Sequence, residues 1–354
     1  MYIKPSIEQL EPYVPGIQPP MNGRVIKINA NENPYPPSPC VKELLSSFDA
    51  SELRYYPDAA SQPLRELIAA HFDLPYGHVF AGNGSDEVIS YLFRVCFEEH
   101  DRIATPYPTY TLYKTIADIH RVRTAFVETA DDFTIDVKAL ARTGAKGIFI
   151  ANPNAQTGLM LPLAEIEELL QSYDGLVVID EAYIDFAPAG SSAASLIGRY
   201  PNLVVLRTFS KSYSLCGIRV GFCLADPKLV GALDKCRDSY NVSHLSQLLA
   251  AAAFEDQPYL QSTTRRVIAT RDRVSQELVN LGFEVTPSQA NFLLCKPVPY
   301  TAKDLYEFLK AGQVYVRYFD SPRLSDKLRI TIGTEEEMDV LLQLIRHYAD
   351  AARS

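Results

Sequence analysis

The sequence lacks the features that mark several classes of protein. No apolar run is long enough to span a bilayer, since the longest uninterrupted one covers only residues 248–254. Residues 1–16 contain no apolar core of a secretory signal, so we expect a cytoplasmic protein. Basic residues are also scarce. The 34 Lys and Arg against 43 Asp and Glu give a net charge of −9, which argues against nucleic acid as the main partner.

Two further absences concern the pairing of cysteine and the spacing of histidine. The six cysteines form no CxxC pair, and we expect reduced thiols that act mostly as small core hydrophobes: Cys40, Cys96, Cys216, Cys223, Cys236 and Cys295. The six histidines show no HExxH or similar spacing. The sequence therefore predicts no metal site.

The chain does contain a regular alternation of strand-like and helical segments. Apolar runs typical of buried strands recur at 122–127, 147–151, 176–180 and 203–206. Strands that alternate with helices predict a parallel sheet that is covered on both faces. The expected fold class is therefore α/β, and such sheets bind ligands at the carboxyl ends of their strands.

Length and composition indicate two domains of unequal size. A chain of 354 residues, 47% of them hydrophobic, exceeds the usual single-core domain. The proline-rich residues 1–39 predict an extended arm, residues 243–281 have a helical pattern, and a smaller α+β unit follows. We expect the arm and part of the small domain over 1–47, a large ligand-binding domain over 48–252 and a small C-terminal domain over 253–354.

Polar side chains follow two of the predicted strands. Lys211 comes just after the run at 203–206, while Asp180 closes the run LVVID and Tyr183 follows it in DEAY. Because parallel strands end at one edge of a sheet, Lys211 and Asp180 are expected to face one cleft. Taken alone, such a lysine is most often a solvated loop residue. Taken alone, such an aspartate is as often a helix N-cap or metal ligand as a functional acid, although a buried carboxylate requires a cationic partner.

A glycine turn before a predicted helix offers a seat for a phosphate. Gly84, Ser85 and Asp86 stand where the helix begins, and backbone N–H groups there point at an anion. The GNG sequence alone is weak evidence, because the third glycine of a dinucleotide fingerprint is absent. Tyr110 follows another strand and suits stacking on a flat ring, although a half-buried aromatic is the commoner role.

Together these groups match pyridoxal phosphate. Its aldehyde needs a lysine, and its pyridine nitrogen needs a buried acid that keeps it protonated. Its ring oxygen needs donors such as Tyr183 and an asparagine. Its phosphate needs a helix start, hydroxyl groups and an arginine such as Arg219. The sequence thus predicts a pyridoxal-phosphate site built on Lys211 and Asp180.

The same segments, in the same order, resemble a known family. The chain resembles the fold-type-I, pyridoxal-phosphate-dependent aminotransferases of class II, and among them the histidinol-phosphate aminotransferases. The segments that carry the resemblance are NANENP at 29–34, YYPD at 55–58, GNGSDE at 82–87, PYPTY at 106–110, NPNAQTG at 152–158, DEAYIDF at 180–186, RTFSKSYSLCGIRVG at 207–221 and LRITIGT at 328–334. The resemblance implies a large domain with a mainly parallel sheet and a smaller α+β domain.

The resemblance implies a role for each matched residue in the coenzyme site. Lys211 would bind the coenzyme covalently and then act as the base that moves the substrate's proton. Asp180 would pair with the ring nitrogen, and Tyr183 would donate to the ring oxygen. The remaining coenzyme contacts would come from Gly84, Ser85, Asp86, Tyr110, Asn154, Ser210 and Arg219.

Further matched residues concern the substrate and a partner subunit. Tyr56 resembles a tyrosine that reaches the neighbouring subunit's phosphate, which implies a homodimer with composite sites. Arg329 resembles the arginine that takes a substrate carboxylate. For a substrate without a carboxylate, such as histidinol phosphate, it would instead bind the phosphate or the glutamate co-substrate. Tyr13, Asn31 and Arg317 resemble residues near the substrate, although an arginine such as Arg317 is as often a solvated strand residue.

One segment departs from the family pattern. The family usually has N-P-N-N-P-T-G, and its second central asparagine touches the ring oxygen. In this chain Asn154 is followed by Ala155 and Gln156, so alanine occupies that position and glutamine replaces the proline. Either Asn154 shifts into the role or the contact is missing.

The resemblance implies amino transfer between L-histidinol phosphate and 2-oxoglutarate, giving imidazole acetol phosphate and glutamate, in L-histidine biosynthesis. An aromatic-amino-acid aminotransferase and a threonine-phosphate decarboxylase use the same scaffold and stand as alternatives. A catalytically silent binding protein is a different class, and it is disfavoured because Lys211 and Asp180 are both present. Neither nucleic acid nor a membrane is expected as a partner.

Overall fold

The computed structural model describes residues 2–10, 16–20, 25–298 and 300–351. The strands in this part of the chain are β1 Ile26–Lys27, β2 Val79–Gly82, β3 Arg102–Tyr107, β4 Arg123–Glu128, β5 Gly147–Ala151, β6 Leu176–Asp180, β7 Leu203–Thr208, β8 Gly221–Leu224, β9 Phe283–Val285, β10 Phe292–Pro297, β11 Val314–Tyr315, β12 Arg317–Tyr318 and β13 Leu328–Thr331. The helices are α1 Pro5–Glu8, α2 Pro39–Ser47, α3 Gln62–His71, α4 Ser85–Cys96, α5 Leu112–Ile119, α6 Val137–Ala141, α7 Leu163–Ser172, α8 Pro227–Cys236, α9 His244–Glu255, α10 Gln257–Asn280, α11 Ala302–Ala311 and α12 Glu335–Ala351. Strands and helices therefore alternate through the first two thirds of the chain, as the sequence predicted.

A seven-stranded sheet forms the larger part of the molecule. Its strand order is β2-β8-β7-β6-β5-β3-β4, and only β8 runs against the other six. Its central strands are buried on both faces because their side chains alternate between two cores. Ile148 and Val177 belong to one core, and Phe149 and Val178 belong to the core on the other face. The predicted fold class, a mainly parallel α/β sheet, is confirmed.

A second, antiparallel sheet forms the smaller part. Its order is β12-β13-β10-β9, and α10, α11 and α12 pack with it around a separate core. Strand β1 pairs with β11 in parallel, with Ile26 opposite Val314, which attaches the N-terminal segment to this unit. The carboxyl end of the large sheet faces the small sheet across a cavity that both units line.

One expectation about the chain's organisation needs correction, and another stays a proposal. The predicted helix at 243–281 is two helices, α9 and α10, because Pro258 lies in the first turn of α10 and the Asp256 side chain caps that turn by accepting from Tyr259 N. The arm and small domain were expected to include residues 1–47, yet Val41 of α2 is buried in the larger core. The domain boundaries after residues 47 and 252 remain a proposal.

None of the helices in the described ranges combines the length and apolar composition that crossing a bilayer requires. Among the same residues, His, Cys, Asp and Glu side chains nowhere gather in threes as a metal would need. The six cysteines are all unpaired thiols, and Cys223 and Cys295 are buried.

Candidate active site

The carboxyl ends of the large sheet and the edge of the small sheet enclose a cavity of about 290 Å³. Its lining brings together most of the residues that the sequence singled out: Asn31, Ser85, Asp86, Tyr110, Asp180, Tyr183, Ser210, Lys211, Arg219, Arg317 and Arg329. These residues come from distant parts of the chain, and the sheet order places them together. The expectation that Lys211 and Asp180 face one cleft agrees with this placement.

Lys211 lies in the loop that leaves β7, where it reaches across the cavity. Its Nζ donates to the carbonyl of Ala30 at 3.2 Å and lies 5.7 Å from the centre of the Tyr183 ring. The loop is fixed on both sides of the lysine. Phe209 is fully buried, and the carbonyl of Ser212 accepts from Asn33 Nδ2 at 3.0 Å. The amine is therefore held at the cavity by a rigid loop instead of projecting freely into solvent.

Asp180 ends β6 and is 4% exposed. Its Oδ2 accepts from the Tyr113 hydroxyl at 2.8 Å, and its Oδ1 accepts from Ala182 N at 3.2 Å. Burial raises the pKa of Asp180 to about 6, and these two hydrogen bonds only partly oppose that rise. A buried carboxylate with two neutral donors is a suitable partner for a cationic ring nitrogen in the cavity.

Sequence analysis did not identify Tyr113. It lies on α5, is fully buried and packs edge to face on Tyr110 with ring centres 5.6 Å apart. A signal was present in the sequence: a tyrosine on the apolar side of an amphipathic helix, just after a strand end, needs a buried acceptor for its hydroxyl. The identity of that acceptor, Asp180, depends on the order of the strands.

Tyr183 is 7% exposed, and its hydroxyl accepts from Asn31 Nδ2 at 3.0 Å. Asn31 adopts a left-handed backbone with φ of 56°. Its side-chain oxygen and backbone N–H both bond to Thr331 Oγ1, and its carbonyl accepts from Asn291 Nδ2 at 3.0 Å. Asn31 lines the cavity, as predicted for a substrate residue, but its side chain is committed to orienting Tyr183.

The predicted phosphate seat lies where α4 begins. Gly84 has φ of +90°, and a Cβ there would lie 2.7 Å from Arg219 Nη2, so this position requires glycine. Arg219 donates to Ser210 Oγ at 3.3 Å and to Asp86 Oδ2 at 3.2 Å. The first turn of the 12-residue helix α4, the Ser210 hydroxyl and the guanidinium thus surround one end of the cavity. Tyr110 closes the side of this end and donates to Asp86 Oδ1 at 3.1 Å.

Asn154, predicted to contact the coenzyme, does not line the cavity. Its Nδ2 donates to the carbonyl of Pro108, and its Oδ1 accepts from the backbone N–H groups of Gln156 and Thr157. These bonds close a buried turn. Ala155 and Gln156 line the cavity in its place, so the family's asparagine contact is missing.

The far end of the cavity carries two arginines on neighbouring strands. Arg317 on β12 stands directly opposite Arg329 on β13. The Phe319 ring lies 4.8 Å from the Arg317 guanidinium carbon and 5.2 Å from that of Arg329. Arg329 Nη1 also donates to the carbonyl of Ala155 at 2.8 Å and to Gln156 Oε1 at 3.2 Å. Phe319 and Gln156 were both missed by sequence analysis.

Another predicted site residue, Tyr56, is not in the cavity. Tyr56 is 80% exposed, and its ring stacks on Tyr240 with centres 4.4 Å apart on the outer surface. It does not line the cavity of its own chain. Tyr13 falls outside the described residues.

The cavity chemistry fits pyridoxal phosphate. The cavity presents an amine, a buried carboxylate with neutral donors, a tyrosine hydroxyl and, at one end, a helix start with an arginine. This donor set corresponds in turn to the aldehyde, ring nitrogen, ring oxygen and phosphate of that coenzyme. The departure at Ala155 removes one donor to the ring oxygen and leaves the other contacts in place.

Comparison with known proteins gives a consistent result. The family model for aminotransferase class I and II matches residues 23–345. The chain is 44% identical over 355 residues to histidinol-phosphate aminotransferase 1 of Burkholderia pseudomallei, covering 98% of each protein. It is 40% identical over 345 residues to histidinol-phosphate aminotransferase 1 of Trichormus variabilis, again covering 98% of each.

Solved structures agree with these relatives. The crystal structure of histidinol-phosphate aminotransferase from Sinorhizobium meliloti, in complex with pyridoxal-5'-phosphate, superposes with a TM-score of 0.89. The two proteins are 27% identical, and the match covers 98% of each chain. A histidinol-phosphate aminotransferase from Clostridium acetobutylicum, at 21% identity and a TM-score of 0.86, shares the fold over 92% of this chain and 100% of that one.

Proposed function

The chain belongs to the class I and II aminotransferases, and from that membership we propose that it transfers the amino group of L-histidinol phosphate to 2-oxoglutarate. The products are imidazole acetol phosphate and glutamate, the reaction is reversible, and its place is the biosynthesis of L-histidine. The observation that carries the proposal is one cavity with Lys211, Asp180 and a phosphate seat at one end and two facing arginines at the other.

Full-length relatives favour this substrate over the alternatives. Proteins about 40% identical over nearly the whole of this chain are histidinol-phosphate aminotransferases. The threonine-phosphate decarboxylase of Porphyromonas gingivalis is only 19% identical, which indicates a shared fold alone. The facing pair of Arg317 and Arg329 also suits a dianionic phosphate better than a single carboxylate.

Pyridoxal phosphate is the cofactor, and the residues that would hold it are already in place. The first turn of α4 with Ser85 and Asp86, together with Ser210 and Arg219, would bind its phosphate. Asp180 would face the ring nitrogen, Tyr183 the ring oxygen and Tyr110 the ring itself. When bound, the coenzyme supplies an aldehyde for the donor's amine and a protonated ring that withdraws electrons from the donor's α-carbon.

The chain's own residues then supply the proton transfers. The Lys211 amine would remove the proton from the donor's α-carbon and hold it as an ammonium group in the cavity, and would thus act first as a base and then as an acid. Asp180 keeps a negative charge beside the ring nitrogen and so favours its protonated form. The Tyr183 hydroxyl, oriented by Asn31, would donate to the ring oxygen, and this contact would matter more here because the Ala155 side chain has no donor.

The two arginines would select the substrates. Arg329 donates to the Ala155 carbonyl and to Gln156 at the cavity wall, and there its guanidinium would bind an anion. Arg317 adds a second forked donor for the phosphate of histidinol phosphate. In the second half reaction the same end of the cavity would take a carboxylate of 2-oxoglutarate.

The active form we propose is a cytoplasmic homodimer with shared sites. Tyr56 supports this because its hydroxyl lies on the outer surface, away from the cavity of its own chain. Subunits carrying Tyr56→Phe, mixed with subunits carrying Lys211→Ala, should form hybrids with one intact site and therefore more activity than either parent. Tyr55→Phe, a neighbouring exposed tyrosine, is the matched control. Absence of restoration after proven subunit exchange would contradict shared sites.

A screen of half reactions tests the proposed substrate. The enzyme loaded with pyridoxal phosphate is mixed with L-histidinol phosphate, L-phenylalanine, L-tyrosine, threonine phosphate or L-glutamate, and the absorption of the coenzyme is followed. Conversion should be fastest with L-histidinol phosphate and should also occur with L-glutamate. Lys211→Ala should convert neither. Faster conversion with an aromatic amino acid would assign the enzyme to the aromatic aminotransferases.

A further inference from the structure

We propose that Tyr113 is a positioning residue for this reaction, because its buried hydroxyl fixes the carboxylate of Asp180 in the orientation that faces the coenzyme's ring nitrogen. The inference rests on the proposed function, since it assumes that Asp180 is the partner of that nitrogen. It adds a residue that lies outside the cavity lining and would therefore act through Asp180 alone.

The first observation is the donor set of Asp180. Its carboxylate has two hydrogen-bond donors in the described residues, one for each oxygen, and both are neutral: the Tyr113 hydroxyl at 2.8 Å and Ala182 N at 3.2 Å. The donor Ala182 N lies only two positions after Asp180 in the sequence, and its hydrogen bond is the longer of the two. The bond to Tyr113 therefore holds the carboxylate from outside its own loop.

The second observation is the surroundings of Tyr113. Its side chain is fully buried, its ring lies 5.5 Å from that of Phe149 and 5.6 Å from that of Tyr110, and its helix packs against the large sheet. A ring held on two sides has little rotational freedom, so its hydroxyl is fixed in space. Burying that hydroxyl without an acceptor is unfavourable, and Asp180 is the acceptor that the fold supplies.

The neutrality of the donor matters for the chemistry. The charged groups near Asp180 are Lys211, whose positive charge stabilises the carboxylate, and Asp86, whose negative charge opposes it, while the phenols of Tyr110 and Tyr183 lie near Tyr113. Burial and the adjacent carboxylate raise the pKa of Tyr113 well above its usual value, so it stays a neutral donor. A phenol orients the carboxylate without neutralising it, whereas an arginine in its place would compete with the ring nitrogen.

Loss of this donor should have two linked effects on Asp180. The hydrogen bond stabilises the ionised carboxylate, so its removal raises the proton affinity of a group that is already difficult to ionise. The carboxyl group can then also rotate about its Cβ–Cγ bond, because one of its oxygens has lost its fixed partner. Both effects weaken the attraction for a cationic ring nitrogen.

Tyr113→Phe is the direct test, since it removes one oxygen atom and keeps the ring. Equilibrium dialysis of the holoenzyme should show a dissociation constant for pyridoxal phosphate about tenfold higher at pH 7.5, the loss of one charge-assisted hydrogen bond. The deficit should be larger at pH 6.5 than at pH 8.5, because the carboxyl group ionises again at high pH. The KM for L-histidinol phosphate should stay the same while kcat falls.

Tyr91→Phe is the matched control. Tyr91 is 2% exposed in the same core, its hydroxyl accepts from Asp238 N at 3.0 Å, and neither residue lines the cavity. This variant should lose a comparable buried hydrogen bond and keep the wild-type dissociation constant for the coenzyme. An equal loss of coenzyme affinity in Tyr91→Phe would reduce Tyr113 to a general structural residue and overturn the proposal.

The double variant separates this inference from the proposed function. In an Asp180→Asn background, Tyr113→Phe should no longer change the dissociation constant, because the negative charge that Tyr113 orients toward the ring nitrogen has been removed. An undiminished effect in that background, or no effect of Tyr113→Phe in the wild type, would overturn the positioning role. If Asp180→Asn alone leaves coenzyme affinity and kcat intact, then the role assigned to Asp180 itself fails.

Discussion

Asp180 and Glu181 are adjacent, both are buried, and they have opposite kinds of partner. Asp180 faces the cavity with two neutral donors. Glu181, at 1% exposed, accepts from Ala193 N at 2.6 Å and from Ser192, and its Oε2 lies 3.3 Å from Arg207 Nη1. Successive residues at the end of a strand point to opposite faces, so one carboxylate reaches the coenzyme site and the other reaches the core.

We infer from this difference that Glu181 stabilises the fold, whereas Asp180 serves the proposed reaction. Burial raises the pKa of Glu181, and Arg207 is the largest opposing influence. The nearby carboxylates of Asp185 and Glu181 raise the pKa of Arg207 and keep it charged. Asp185 also accepts from Ser212, so this network holds the loop next to Lys211. Asp180 has no arginine of this kind in the described structure, and its cationic partner would be the coenzyme.

The largest expected effect is a loss of kcat, and only substitution of Asp180 should cause it. Asp180→Asn should lower kcat by about a thousandfold, because the ring nitrogen loses its charged partner. Glu181→Gln should change kcat by no more than about threefold, which corresponds to about 0.65 kcal/mol of activation free energy. Steady-state rates with L-histidinol phosphate, on variants shown by absorbance to carry coenzyme, give the comparison. Equal losses in kcat would show that the two acids are not divided in this way.

The next largest effect is a loss of folding stability, and substitution of Glu181 should cause it. Glu181→Gln removes one partner of a buried ion pair and should lower the free energy of unfolding by about 3 kcal/mol. Asp185 still pairs with Arg207 in this variant, so a complete collapse of the fold is not expected. Denaturant unfolding of the coenzyme-free protein measures the change. Wild-type stability in Glu181→Gln would mean that the Arg207 network contributes little.

A smaller effect, on catalytic efficiency, is expected for Arg317, which contacts neither Asp180 nor the Arg207 network around Glu181. Arg317→Ala should lower kcat/KM for L-histidinol phosphate about thirtyfold, equivalent to about 2 kcal/mol, because one forked donor to the phosphate is lost. The half reaction with L-glutamate should change much less. Coenzyme affinity and unfolding should match the wild type, which separates Arg317 from Asp180 and from Glu181. An equal fall in both half reactions would show that Arg317 does not discriminate between the substrates.

Much of the site could be predicted from sequence because its residues follow strand ends. Lys211, Asp180 and the helix start at Ser85 each belong to a local pattern, and a parallel sheet brings such ends together. Tyr113 and Gln156 were missed because their roles depend on which strands are neighbours. Asn154 was assigned from a motif, and the hydrogen bonds that commit it to a turn are visible only in three dimensions.

The fold, like the site, has features that local sequence patterns predict and features that depend on long-range pairing. The α/β class and the strands near 147–151 and 203–206 follow from apolar runs with polar ends, and the structure has them as β5 and β7. The reversed direction of β8 and the pairing of β1 with β11 are long-range features that leave no local pattern. The break between α9 and α10 was detectable at Asp256 and Pro258, where a cap precedes a proline, but the continuous apolar spacing around it concealed it.

We infer that the buried carboxylate of Asp180 lowers the stability of the folded protein and that the proposed reaction requires it. Its pKa rises from 3.8 to about 6 on folding, so the folded protein holds its proton more tightly than the unfolded chain. The stability of the coenzyme-free protein should therefore fall as pH rises from about 4 to about 6, and stay lowered above that. A shift of this size corresponds to about 3 kcal/mol, part of which a buried asparagine amide would offset.

The most direct measurement is the free energy of unfolding of coenzyme-free Asp180→Asn beside the wild type, at pH 7.5 and again at pH 4. We predict that the variant is more stable by about 2 kcal/mol at pH 7.5, because no charge is buried, and that the gap narrows toward pH 4, where the wild-type carboxyl is protonated in the folded state and buries no charge. An Asp180→Asn protein that is less stable than the wild type at pH 7.5 would contradict it.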